Sequence, residues 1–240
     1  MDREVDPKDR IREEVYRKLE EWGVARPPMP IRGRIPNFIG AEKAAEKLLD
    51  LEGFHYAKVL KINPDSPQRP VRHLALRMGK ILVMPTPRIK KGFLLLDPDS
   101  IRNFWFASTI KGAFRLGRLV EVEDLPHIDF IVEGSVAVSP DGMRLGKGEG
   151  YAELEYAILL EAGKVEYNVE IASTVHELQI VESIPRDEYD VSINYIVTPN
   201  RIIKCNSFFR PKGILWDRLD KEKIMEIPIL RRLWELRQKY

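Results

Sequence analysis

The sequence predicts an α/β protein with three layers, an open and mostly parallel sheet with helices on both faces. Apolar runs short enough to be strands alternate along the chain with longer runs of helical period, an order typical of parallel crossover units. The chain has 240 residues, 44% of them hydrophobic, so it can bury one sizeable core. We therefore expect a single domain over residues 1–240, with a helical C-terminal extension from about residue 220.

The first helices are predicted from the spacing of apolar residues. Ile11, Val15 and Leu19 recur four residues apart and give residues 7–22 the apolar stripe of an amphipathic helix. A proline-rich stretch at residues 27–36 interrupts the pattern, and a second helical run follows over residues 41–51. The chain thus begins with two predicted helices joined by a connection within the fold.

The middle of the chain contains the crossover pattern. Strand-like apolar runs lie at residues 56–62, 81–84, 128–138, 165–175 and 193–197. Helical runs lie at residues 71–78, 151–160 and 220–240. The helix at 151–160 has little polar face, so we expect other elements to cover it on most sides. Ligands in such sheets bind beyond the carboxyl ends of the strands, which is where the site is expected.

The charge balance gives no strong global field. The chain has 39 basic and 37 acidic residues and a net charge of +2, so a nucleic acid partner is not favoured. No apolar run approaches the roughly 18 residues of a membrane span, and the first residues are charged, so we expect a cytoplasmic protein with no membrane partner. Cys205 is the only cysteine, which excludes an internal disulfide. The pattern leaves a monomer and a small homo-oligomer open.

A glycine-rich loop carries the predicted chemistry. Residues 139–150 read Ser-Pro-Asp-Gly-Met-Arg-Leu-Gly-Lys-Gly-Glu-Gly, between the predicted strand at 128–138 and the helix that starts at Tyr151. Alternate glycines let backbone amides approach an anion, and the helix N-terminus adds partial positive charge. Arg144 and Lys147 add full charges. These parts suit a phosphate cradle, although a mobile surface loop has the same composition.

The loop resembles the signature of the 5-formyltetrahydrofolate cyclo-ligases, where an Arg-Leu-Gly-x-Gly-x-Gly-Tyr-Tyr-Asp run holds ATP phosphates. Residues 8–12, Lys-Asp-Arg-Ile-Arg, are similar to the family's Lys-x-x-Leu-Arg. Residues 179–198 resemble its Gln-x-Val-x-x-Leu-Pro, His-Asp-Val and Val-Thr segments, and residues 71–85 resemble the helix and strand before its substrate loops. The resemblance spans residue 8 to about residue 203 and implies a cyclo-ligase-like, Rossmann-like fold.

This resemblance implies a ligase of one-carbon metabolism that uses ATP and Mg²⁺ to cyclise a small-molecule folate substrate, 5-formyltetrahydrofolate, to 5,10-methenyltetrahydrofolate. It implies Arg144 and Lys8 as catalytic residues, and Glu153 and Asp190 as magnesium ligands. The implied nucleotide-binding residues are Lys8, Arg12, Arg144, Leu145, Gly146, Lys147, Gly148, Glu149, Gly150 and Tyr151. Without the resemblance, Glu153 is explained as an exposed carboxylate in the first turn of a helix, where it interacts favourably with the helix dipole.

Departures from the family pattern lie on the folate side. The family's Glu-x-x-Thr run corresponds to residues 65–70, Asp-Ser-Pro-Gln-Arg-Pro, which lack the glutamate. The second tyrosine of the loop is Ala152, and Glu153 stands where the family has a metal-binding aspartate. The pattern resembles a divergent branch, the methenyltetrahydrofolate-synthetase-domain-containing proteins. Two alternatives stay open: a nucleotide- or RNA-binding module that has lost the folate reaction, and an ATP-dependent enzyme for another small acid.

The middle region is basic and aromatic, and both features have two interpretations. The basic residues could contact phosphates, a polyglutamate tail or RNA, but a solvated surface is expected at this net charge. They are Arg69, Arg72, Arg77, Lys80, Arg88, Lys90 and Lys91. Nearby aromatics such as Trp105 could stack on a pterin or a base, with core packing as the expected role. The four histidines lack ligand spacing, which argues against zinc.

Overall fold

Strands and helices alternate along the chain as the sequence predicts. The computed structural model describes residues 6–238. Its strands are β1 (Ala25–Arg26), β2 (Asn37–Phe38), β3 (Val59–Ile62), β4 (Ile81–Pro85), β5 (Phe93–Leu96), β6 (Arg118–Val120), β7 (Phe130–Glu133), β8 (Ala137–Val138), β9 (Arg144–Leu145), β10 (Glu170–Thr174), β11 (Tyr195–Val197) and β12 (Ile202–Lys204). Its α-helices are α1 (Pro7–Glu21), α2 (Ala41–Lys47), α3 (Glu52–Tyr56), α4 (Arg69–Arg77), α5 (Phe104–Ala107), α6 (Ile110–Leu116), α7 (Tyr151–Glu161), α8 (Lys221–Glu226) and α9 (Pro228–Arg237).

The main sheet confirms the predicted fold class. In the described part of the chain it has eight strands in the order β12-β11-β10-β7-β3-β4-β5-β6. The five strands from β11 to β4 are parallel to their neighbours. Antiparallel strands complete both edges, β12 on one side and β5 with β6 on the other. These edge strands were not predicted, because short apolar runs between loops do not reveal their pairing.

Two apolar cores cover the two faces of the sheet, as the alternation of side chains along a strand requires. Leu60 and Ile62 of β3 pack on the side of α2, α3 and α4, in a cluster that includes Phe54 and Leu76. The preceding Val59 faces the other side, where α7 and α9 contribute their apolar residues. Lys61 of β3 shares this second face and is fully buried. A charged side chain therefore stands in the layer between the sheet and α7.

Helix α1 begins and docks as its sequence predicts. The carboxylate of Asp6 accepts a hydrogen bond from the amide of Lys8, a standard N-cap contact, and Pro7 occupies the first turn. Val15 and Leu19 are completely buried, in a cluster that includes Leu145 of β9. The polar first turns of α1 are thereby held close to the glycine loop.

The strand predicted at 128–138 is wrong as one element. Strand β7 ends at Glu133, and β8 pairs with β9 in a separate two-stranded sheet. The chain leaves the main sheet after Glu133 and bends at Val136. Gly134 packs closely against its neighbours, since a Cβ there would lie 2.6 Å from Oε1 of Gln68 and 2.9 Å from Cγ2 of Ile35. The apolar pattern continues through the bend because the residues before and after the bend are both buried. The glycine loop therefore begins within the β8–β9 hairpin, and its alternate glycines at 146–150 follow β9 and not a strand of the main sheet.

Other predicted bounds also change. Tyr56 ends α3, so the strand predicted at 56–62 begins only at Val59, and the strand predicted at 165–175 begins only at Glu170. The helix predicted at 220–240 is two helices, because Pro228 cannot continue α8 and starts α9 instead. Residues 239–240 lie outside the described range. Within residues 6–238, helices long and apolar enough to cross a membrane are absent.

Candidate functional site

The glycine loop forms a backbone cradle at the start of α7. Gly148 has φ +97° and Gly150 has φ +69°. Residues with a Cβ rarely adopt these backbone conformations. Gly150 is also the N-cap of α7, and no side chain caps the helix there. The first amides of an 11-residue helix are thus left for another acceptor. This geometry suits an anion, as the sequence predicts.

Helix α1 brings Arg12 into contact with the loop and Lys8 into the same cavity, an arrangement that the sequence alone could not establish. Nε of Arg12 donates a hydrogen bond to the carbonyl oxygen of Gly146 at 2.9 Å. Nζ of Lys8 donates to carboxylate oxygens of Asp187 at 2.7 Å and Asp190 at 2.8 Å. Burial lowers the pKa of Lys8, but the hydrogen bonds to these two carboxylates outweigh it and the pKa is raised. Lys8 therefore stays charged.

Arg144 is the most constrained cation of the site. It is only 2% exposed, and its Nη2 lies 2.8 Å from a carboxylate oxygen of Glu133 and 2.6 Å from one of Glu153. Burial lowers its pKa, but the two carboxylates outweigh that effect and raise it. Its buried Nε has no hydrogen-bond partner within residues 6–238. A buried donor without a partner is costly, so Nε is an unsatisfied group at the centre of the site.

A buried ionic chain behind Arg144 was missed by sequence reasoning. Nζ of Lys61 lies 3.1 Å from Oε1 of Glu133 and 2.6 Å from Oε2 of Glu155. Burial raises the pKa of Glu155 to about 7, although Lys61 acts in the opposite direction. The available signal was opposite charge inside two apolar runs, Lys61 in β3 and Glu133 in β7. Glu133 contacts both Lys61 and Arg144, and so holds the arginine side chain in position.

Two cavities meet at the glycine loop. The first, of about 400 Å³, is lined by Lys8, Arg12 and Asp190, and by apolar residues of the C-terminal segment such as Ile214 and Leu219. The second, of about 720 Å³, lies on the other side of the loop. Five residues line both cavities: Arg144, Gly146, Glu149, Gly150 and Glu153. The shared wall is therefore the segment that the sequence predicts to hold phosphates.

The predicted site residues divide between these cavities. Leu145 and Gly148 line the first cavity. Lys147 and Tyr151 line the second. Nζ of Lys147 lies 3.6 Å from Glu149 and 3.9 Å from Asp65. The second cavity thus has a wall of mixed charge, with Glu155 and Asp65 among its acidic residues.

Several residues of the first cavity were not predicted. Asp187 joins Asp190 at Lys8, and Nζ of Lys223 in α8 donates to the carbonyl oxygen of Glu149 at 3.0 Å. The same ammonium lies 4.9 Å from the ring centroid of Tyr151. No local signal marks Lys223, because it reaches the loop only through the packing of the C-terminal segment.

The two carboxylates predicted to bind magnesium line the first cavity together. Their oxygens are of the type that Mg²⁺ prefers, and Mg²⁺ commonly takes only one or two protein carboxylates beside nucleotide phosphates. Glu153 also contacts Arg144, and Asp190 contacts Lys8. Within the described residues, no group of three or more possible metal ligands is found. The two carboxylates therefore fit a Mg²⁺ ion that binds together with a nucleotide. They do not form a complete coordination shell by themselves.

Comparisons with known proteins agree with the family resemblance of the sequence. The sequence model described as the 5-formyltetrahydrofolate cyclo-ligase family matches residues 7–199. The chain is 39% identical over 239 residues to the methenyltetrahydrofolate synthase domain-containing protein of Mus musculus, covering 95% of this chain and 63% of that protein. The Homo sapiens protein of that name is 37% identical over 238 residues, covering 94% and 61%. The chain spans about three-fifths of the length of these relatives.

The fold is also shared with a solved structure. The NMR structure of 5,10-methenyltetrahydrofolate synthetase from Aquifex aeolicus superposes with a TM-score of 0.52 at 22% sequence identity, covering 87% of this chain and 97% of that one. At this identity the likeness concerns the fold alone. The family model matches most of the chain by sequence, and this match assigns the family. The chain belongs to the 5-formyltetrahydrofolate cyclo-ligase family.

Proposed function

We propose that this protein catalyses the ATP- and Mg²⁺-dependent cyclisation of 5-formyltetrahydrofolate to 5,10-methenyltetrahydrofolate. The observation that carries the proposal is the position of Arg144. It is buried, it lines both cavities, and its Nε has no partner in the described part of the chain. A group passing from one cavity to the other would meet this guanidinium. Such an arrangement suits transfer of a phosphoryl group between two substrates.

The first cavity is assigned to the nucleotide. Lys8, Arg12 and the amides at the start of α7 converge there, and phosphoryl transfer depends chiefly on positioning and on charge stabilisation. The apolar side chains of Ile214 and Leu219 offer a surface for the base. Glu153 and Asp190 would hold Mg²⁺, which supplies charge neutralisation at the phosphate oxygens when bound.

The second cavity is assigned to the acceptor. Its larger volume and its mixture of acidic and basic walls suit a polar, drug-sized ligand. In the proposed reaction, the formyl oxygen bonds to the γ-phosphorus as the bond to ADP breaks. The neighbouring amine nitrogen then bonds to the formyl carbon, its proton passes to solvent, and inorganic phosphate leaves with the oxygen. Arg144 would stabilise the charge on the transferred group from the shared wall.

The test is the ATP-dependent appearance of methenyltetrahydrofolate absorbance after purified protein is mixed with ATP, Mg²⁺ and 5-formyltetrahydrofolate. Arg12→Ala should slow turnover at least tenfold, because the guanidinium stands at the loop carbonyl. Arg17→Ala is the matched control, since Arg17 is on the same helix and, among residues 6–238, forms an ion pair only with Glu21 at the surface. A trace that stays flat with the wild-type protein, while ATP binding is demonstrated separately, would overturn the proposal.

A second candidate function keeps the nucleotide site and changes the acceptor. The second cavity has Asp65 with Lys147 nearby where the family has its substrate glutamate. An ATP-dependent enzyme acting on another small acid would use the same shared wall. Phosphate release that depends on a small carboxylic acid, and not on 5-formyltetrahydrofolate, would favour this function.

A further inference from the structure

Charge is distributed very unevenly along this chain. Residues 69–120 contain eleven Lys or Arg residues and two acidic residues, so this segment has a formal charge of +9 and the remainder of the chain −7. The basic residues are Arg69, Arg72, Arg77, Lys80, Arg88, Lys90, Lys91, Arg102, Lys111, Arg115 and Arg118. The net charge of +2 hides this polarity, because it averages a basic part with an acidic remainder.

Folding places much of this charge on one continuous region. Helix α4 contacts α5, α5 contacts α6, and α6 contacts β5, beside which β6 forms the edge of the main sheet. We call this region the basic edge face. Its exposed basic residues are Arg77, Arg102, Lys111, Arg115 and Arg118. Within residues 6–238, none of these five side chains forms an ion pair, whereas Arg88 and Lys90 pair with Glu149 and Glu226. Their charge is therefore available to a partner.

An exposed aromatic site lies on the same face. The Trp105 side chain is 60% exposed, although a tryptophan of α5 would be expected in the core. The guanidinium carbon of Arg69 lies 4.0 Å from the centroid of its ring, and the His73 ring meets it edge-on with centroids 5.3 Å apart. These contacts hold the indole in the lining of a cleft of about 250 Å³. Glu42 and Glu46 also line this cleft and could accept hydrogen bonds from a base.

We propose that the basic edge face binds single-stranded nucleic acid, with phosphates along the exposed arginines and lysine and one base stacked against Trp105. Basic tracks that carry exposed aromatic rings are the common means of binding single strands, since each base has a face that can stack. A duplex would hide those faces. A bilayer is a poorer fit, because α5 and α6 have only four and seven residues and mix basic with apolar side chains.

The test is fluorescence anisotropy of a labelled 12-nucleotide single strand, with RNA and DNA arms and a series of salt concentrations. Trp105→Leu should weaken binding about tenfold, because one stacking contact is lost. Trp22→Leu is the matched control, since Trp22 is 72% exposed at the end of α1, away from this face. Equal loss in both variants, or no detectable binding by the wild-type protein at low salt, would overturn the proposal.

The salt dependence tests the phosphate contacts separately. The double variant Arg115→Gln/Arg118→Gln should reduce the slope of log affinity against log salt by about 1.4, since each lost contact to a single strand removes about 0.7. Lys204→Gln/Lys212→Gln is the control, because both lysines are exposed and lie outside residues 69–120. An unchanged slope in the first variant would remove the face from the interaction, as would binding to phosphatidylserine vesicles in place of the oligonucleotide.

This inference is independent of the proposed cyclisation. Excess ATP should not displace the oligonucleotide, and Arg12→Ala should bind it like the wild-type protein, because Arg12 belongs to the first cavity. Displacement by ATP would show that the oligonucleotide occupies the nucleotide cavity and would contradict the proposal. A protein that binds the oligonucleotide but does not cyclise the folate would refute only the proposed enzymatic function.

Discussion

The buried carboxylate of Glu133 offers the most direct test of the site. It is completely buried, and its two oxygens lie 3.1 Å from Nζ of Lys61 and 2.8 Å from Nη2 of Arg144. Burial raises its pKa, but Arg144 and Lys61 outweigh that effect and lower it, so the group is ionised. Glu133→Gln keeps the size of the side chain and removes its charge. Two buried cations then lose a shared partner.

The expected cost is about 3–5 kcal/mol of unfolding free energy, as is typical when one partner of a buried ion pair is removed. Each pair is worth about 5 kcal/mol at an effective dielectric constant of about 20, part of which offsets the desolvation of the charges. Lys61 keeps Glu155 and Arg144 keeps Glu153, which prevents a larger loss. In a domain of this size the melting temperature should fall by about 6–20 °C.

Urea denaturation followed by circular dichroism measures this loss. Glu123→Gln is the matched control: Glu123 pairs with Arg232 at the surface, and its loss should cost under about 1 kcal/mol. A loss below about 1 kcal/mol for Glu133→Gln would refute the ionic chain as the support of Arg144.

Three further predictions concern the loop, the hairpin and the pH dependence of stability. Arg12→Met should weaken ATP binding at least tenfold, as measured by titration calorimetry, without lowering the melting temperature. An unchanged affinity would show that Arg12 of α1 does not contact the nucleotide. Gly142→Ala should cost about 2–3 kcal/mol in urea, since φ is +92° and a Cβ would lie 2.8 Å from the carbonyl oxygen of Ile193. Burial raises the pKa of Glu155 from 4.5 to about 7, so the folded protein binds this proton more tightly than the unfolded chain. Stability from this group is complete below pH 4.5 and is lost as the pH rises through about 7, a fall of about 3 kcal/mol. Glu155→Gln should remove that fall, and an identical pH profile in both proteins would contradict the assignment.

The fold class followed from patterns that need no distant partner. The apolar stripe of Ile11, Val15 and Leu19 predicted α1, and the alternation of short apolar runs with helices predicted the parallel centre of the sheet. The sheet edges and the β8–β9 hairpin were missed, because strand pairing is a relation between segments. A run such as residues 128–138 has the same apolar pattern whether it stays straight or bends at Val136, since both sides of the bend are buried.

The site was predictable where it is local in sequence. The glycines of the loop and the start of α7 are adjacent in the chain, so a candidate anion cradle could be predicted from composition and order. By itself the sequence thus determined the fold class, the position of the loop and the family resemblance. These properties depend on local spacing and on backbone freedom.

Only the tertiary structure decided which charges meet. Lys61 and Glu133 look like isolated exceptions within apolar strands until β3 and β7 become neighbours, and then they form the buried support of Arg144. Arg12 reaches the carbonyl oxygen of Gly146 across 134 positions of sequence. The physical reason is that electrostatic interaction depends on distance and burial in space, and neither is recorded in the order of residues along the chain.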